Sequence, residues 1–153
     1  DNRPPHKYAP AAFPEGGLFR LMVLGLLNAE RQCLVIPGMQ HGDPMSMGAR
    51  TGNLIASSRI YGTHAHTGER AKDAAEAADL VFDHVTTLLG EGGADWSNLT
   101  QLTAFIGEAE FRGLIEERWQ ARTAGLASSP RLNVIVTTLA GGPNPRVEIL
   151  ALL

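Results

Sequence analysis

Apolar residues recur at Ala74, Ala77, Ala78, Val81, Phe82, Val85, Leu88 and Leu89, the i, i+3, i+4, i+7 spacing of a helix that buries one face. Gly90, Gly92 and Gly93 predict its end. Leu102, Ala104 and Ile106 then alternate with Thr103 and Phe105, the period of a strand. Glu108 and Glu110 suit the positive end of a second helix carrying Phe111, Leu114, Ile115 and Trp119, stopped by Gly125. Residues 132–139 are rich in β-branched side chains, and the Gly141-Gly142-Pro143-Asn144-Pro145 stretch predicts a C-terminal hairpin with residues 147–153.

Earlier in the chain, apolar runs at 19–27 and 33–36, separated by Asn28-Ala29-Glu30, predict a strand pair. Gly42-Asp43-Pro44 marks a turn, and residues 53–60 a strand ending at Gly62. Residues 1–17, with four prolines and no periodicity, predict an extended arm without chemistry. The order strands, helix, strand, helix, strand, strand implies right-handed crossovers that stack both helices on one face of a mixed sheet. Because Leu132, Val134 and Val136 oppose Ile135, the second face also needs cover, and self-association is the simplest source.

Composition narrows the classes. The chain has 153 residues, 44% of them hydrophobic, enough for one domain with its own core. A net charge of -3 without a Lys/Arg cluster argues against nucleic acid and anionic membranes as partners. The single cysteine, Cys33, cannot form an internal disulfide, and no apolar run is long enough to span a bilayer, so the cytoplasm is the expected compartment. Lying in an apolar run, Cys33 is expected to be an inert buried thiol.

Four segments in order then carry a family resemblance. Gly52-Asn53-Leu54-Ile55-Ala56-Ser57-Ser58, the Leu88-Leu89-Gly90 helix end with Asp95-Trp96, Ser129-Pro130-Arg131-Leu132-Asn133-Val134, and Arg146-Val147-Glu148-Ile149 resemble stretches of the Rid (YjgF) family of imine/enamine deaminases. The resemblance spans roughly residues 36 to 153 and divides the chain into 1–32, an N-terminal arm and extra strand segment, and 33–153, the family-like domain. It implies an α+β, chorismate-mutase-like mixed sheet with two helices on one face, assembled as a homotrimer. It also implies a small carboxylate-bearing metabolite bound in clefts between subunits, with no cofactor and no metal.

By motif, Arg131 is the arginine that holds the carboxylate, a task for which its planar, permanently charged fork is suited. Ser58, or Ser57 one residue before it, falls on the pocket serine and would orient the ligand. At four positions, Glu116 among them, the chain departs from the family pattern: Met45 stands where active deaminases carry a tyrosine, Asn133 where they carry a cysteine, and Leu150 where a glutamate orients the hydrolytic water. Glu116, three before Trp119, replaces an asparagine.

Two functions follow. In the first the protein is an enzyme that hydrolyses or tautomerises an enamine or imine, with Arg131 as anchor, Ser58 polarising, and Glu116 or His64 moving a proton. In the second it is a non-catalytic trimer binding a metabolite or partner in the same cleft. His64 and His66, with His41 and His6 elsewhere, also invite a metal reading, which is the weaker one because no Cys or carboxylate lies at ligand spacing beside them. His84, beside Val85 on the helix, is expected at the core boundary.

Overall fold

A computed structural model describes residues 24–42, 44–137 and 144–153. The expected N-terminal arm, Asp43 of the expected turn, and most of the glycine-rich connection before Asn144 lie outside the described residues. Strands β1 (Arg31–Leu34), β2 (Gly48–Thr51), β3 (Leu54–Ser57) and β4 (Ile60–Tyr61) lead into helix α1 (Ala74–Glu91). After a 3-10 turn at Trp96–Asn98 come β5 (Leu99–Ile106), α2 (Glu110–Thr123), β6 (Arg131–Val136) and β7 (Arg146–Leu152). One mixed sheet runs β1-β2-β3-β7-β5-β6, with β4 also pairing β7.

Helix α1 follows the predicted stripe: Ala77, Ala78, Val81, Phe82, Val85, Leu88 and Leu89 are buried. Asp73 caps its start by accepting from the Glu76 N–H at 2.8 Å, and Gly93, at φ +72°, follows its end. Phe111 and Ile115 of α2 join the same core as α1, so both helices cover one face of the sheet. Arg118 on Asp79 at 2.8 Å and Arg122 on Asp83 at 2.6 Å tie the helices together outside the core. Trp96 stacks on Phe82 at 5.7 Å beneath them.

The strands depart from expectation. Of the expected pair at 19–27 and 33–36, residues 19–23 lie outside the described residues, 24–27 belong to no strand, and β1 pairs with β2. Strand β2 itself was not anticipated, because Gly48-Ala49-Arg50-Thr51 lacks large apolar residues; the Gly52-Asn53 turn, with Gly52 at φ +58°, folds it onto β3. The C-terminal hairpin does not form. β7 enters the middle of the sheet between β3 and β5, antiparallel to both, while β6 pairs β5 in parallel and becomes an edge.

Candidate functional site

Strand alternation sorts the central side chains to two faces. Leu102, Ala104 and Ile106 of β5 and Val147, Ile149 and Ala151 of β7 point into the core with the helices. Their alternates therefore occupy the opposite face. There the register aligns cross-strand rows: Arg131 pairs with Gln101, which pairs with Leu150, and Asn133 pairs with Thr103, which pairs with Glu148. A third row joins Ile135, Phe105 and Arg146.

This arrangement brings Arg131, Asn133 and Leu150 to one surface. Arg131 is exposed on the edge strand. The Thr103 hydroxyl accepts from the Asn133 amide at 3.3 Å and from the Gln101 amide at 3.2 Å, so both amides are oriented beside the arginine. Glu148 is 4% exposed in the row beyond. It shares a face with Leu150 but lies about 7 Å further along the strand, two residues of rise. Leu150 thus puts an apolar side chain in the arginine's own row.

A second group of candidate residues lies at the other end of the sheet. A cleft of about 450 Å³ is lined by Cys33, His41, Pro44, Met45, Ser46 and Met47, among others. Ser58 stands behind it, 1% exposed, donating its hydroxyl proton to the Met47 carbonyl at 3.0 Å. That hydroxyl has a single proton, so its oxygen accepts from His41 Nε2, and His41 Nδ1 then accepts from the Tyr61 hydroxyl at 3.3 Å. The Arg146 guanidinium lies over the Tyr61 ring at 5.3 Å. Burial lowers the pKa of Arg146, Tyr61 opposes that shift, and Arg59 adds to it. Ser57 takes a different part: its Oγ accepts from the Ile149 N–H at 2.9 Å, a sheet contact.

The remaining candidates separate. Glu116 lies on the outer side of α2, 3.5 Å from Arg112, and lines none of the described clefts. His64 lines a different cleft of about 530 Å³ with His66, Glu69 and His84, and its Nε2 is 3.8 Å from Glu76. His84 is 7% exposed and donates Nδ1–H to the Tyr61 carbonyl at 2.9 Å; burial holds its pKa below 6.5. Among the described residues no group of three or more His, Cys, Asp or Glu is placed to hold a metal ion. Cys33 is exposed, contrary to expectation, because strand parity turns it away from Leu34, which takes the core position. The sequence offered His41 only as a possible metal ligand and did not single out Tyr61: four residues before Met45 and three after Ser58, they meet only once the chain folds back.

No protein-family model matches the chain, and no curated protein matches it. Solved structures do. E. coli TdcF with bound serine aligns at 18% identity and a TM-score of 0.72, covering 80% of this chain and 98% of that one. The E. coli YjgF gene product aligns at 18% identity and 0.70, covering 79% and 98%. The Yersinia pestis protein YyfA, of the conserved Rid family and of unknown function, aligns at 16% identity and 0.71, covering 81% and 100%. The chain therefore has the fold of the Rid/YjgF proteins.

Proposed function

We propose that a chain with this fold binds a small carboxylate-bearing metabolite through Arg131, at a boundary between copies of itself. The observation that carries the reading is the row geometry: Arg131 on an edge strand, flanked by two amides that Thr103 holds in place. A guanidinium in that setting offers a carboxylate a two-point contact, and the neighbouring amides supply donors for an adjoining oxo or imino group. TdcF, one of the similar structures, holds serine, itself a small carboxylate-bearing molecule.

The cleft at Met45 and the arginine row lie near opposite ends of the sheet, five strand spacings or roughly 24 Å apart, too far to share one small ligand within a chain. A head-to-tail association would place the row of one copy over the cleft of the next, and three copies would close a ring with three equivalent sites. Within such a site the chemistry is limited by Leu150. Hydrolysis of an imine needs a group that orients water, and neither Leu150 nor Glu116, half-buried on helix α2, supplies one beside Arg131. The binding reading is therefore favoured over imine hydrolysis.

Calorimetric titration with pyruvate tests the anchor. The native protein should bind it, Arg131→Ala should lose about 1.5 to 3 kcal/mol, the scale of a hydrogen bond to a charged group, and Arg131→Lys should recover only part because the fork is gone. Equal binding by native protein and Arg131→Ala would refute the assignment.

A further inference from the structure

Three histidines meet in a cleft lined by no residue of the arginine row. Leu80 and His84, four residues apart on one face of α1, line this cleft of about 530 Å³, whose other walls include Ile36, Pro37, His64 and His66. The loop that carries His64 and His66 is a tight turn: the His64 N–H donates to the Glu69 carbonyl at 2.9 Å, and the Gly68 N–H to the His64 carbonyl at 2.8 Å. It seats on Gly38, at φ +82°, where an added Cβ would lie 2.5 Å from His66 Nδ1. Glycine there lets the loop approach and complete the wall. The cleft shares no lining residue with the one at Met45.

The chemistry is set at His84. Its Nδ1 faces the Tyr61 carbonyl, which can only accept, so Nδ1 carries the proton and Nε2 keeps its lone pair. No described residue donates to that Nε2. Burial, the largest influence on the ring, favours its neutral form. The charges nearby have partners of their own: Asp83 holds Arg122 at 2.6 Å, and Glu76 lies 3.8 Å from His64 Nε2, while Glu69 and His66 stand on the exposed loop. We propose that this cleft binds a small uncharged molecule with one O–H or N–H donor on an apolar ring, such as a phenol, with the donor on His84 Nε2 and the ring against Ile36 and Leu80. An anion would meet the imidazole lone pair with one of its own, and the apolar walls penalise a cation. The site therefore selects against the class of ligand proposed for Arg131, and stands independently of it.

Phenol and its methyl ether anisole, the same ring without the donor, are titrated into the native protein above pH 6.5, with the His84 ring nitrogens followed by NMR. Phenol should bind saturably and shift Nε2, and anisole should bind several-fold to about tenfold more weakly, the ratio for one hydrogen bond between neutral groups. As pH falls through the folded pKa, below 6.5, Nε2 gains a proton and can donate to either oxygen, so the preference for phenol should vanish. His84→Phe should remove the same preference. Leu80→Trp, which fills the cleft and leaves His84 in place, should abolish binding of both. No saturable binding of phenol, equal affinity for phenol and anisole in the native protein, or binding unchanged by Leu80→Trp would each overturn the proposal.

Discussion

At the scale of single residues, the proposed site turns on position 150. Leu150 shares the arginine's row, so native protein should release little or no ammonia from 2-iminopropanoate, measured with 2-aminoacrylate generated in situ. Leu150→Glu should raise that release if the row is otherwise competent, at the risk of burying a carboxylate without a partner. Rapid ammonia release by native protein would show that another group orients water. The sequence made these positions legible because each sits in a short motif with a fixed offset from Pro130 or from the last strand. It did not reveal the Ser58–His41–Tyr61 chain, whose members come from a strand end, a loop and the next strand and are brought together by the fold. Nor did it reveal that Cys33 is exposed, since an apolar run says nothing of which alternate residue faces in.

Among the elements, α1 is the best determined, because its apolar stripe, its Asp73 cap and its glycine end agree. Its approach to β4 is close enough to test. A Cβ added at Gly62 would lie 2.5 Å from the Ala77 carbonyl oxygen, so Gly62→Ala should cost about 1 to 3 kcal/mol in denaturant unfolding, the range for overpacking. His84 on the same helix gives stability a pH dependence. Burial, the largest cause, depresses its folded pKa below the ordinary 6.5, and the Tyr61 carbonyl only partly offsets that. As pH falls through 6.5 the unfolded chain takes up the proton first, so stability present at higher pH is lost until the folded pKa is passed. His84→Gln should flatten that acid limb, and an unchanged slope would show that other groups set it. The strands were read less well. Periodicity marks a strand but not its partner, which is why β5 was recognised while β7's insertion between β3 and β5 was taken for a hairpin with β6.

For the whole molecule, the proposed site requires an assembly of copies. Ile135 and Val136 on edge strand β6 are 42% and 53% exposed, and Leu152 and Leu153 at the end of β7 are exposed as well. An edge of this kind invites a partner. Sedimentation velocity at micromolar concentration should show a trimer, and a stable monomer would remove the shared site. Among the described residues no helix is long and apolar enough to cross a membrane. The most direct measurement of the central claim is a crystal structure of the native protein soaked with pyruvate. Its carboxylate should lie on the Arg131 guanidinium, with the Met45–Ser46 segment of a neighbouring copy closing over it. Arg131 facing open solvent, away from any neighbour and any ligand, would contradict it.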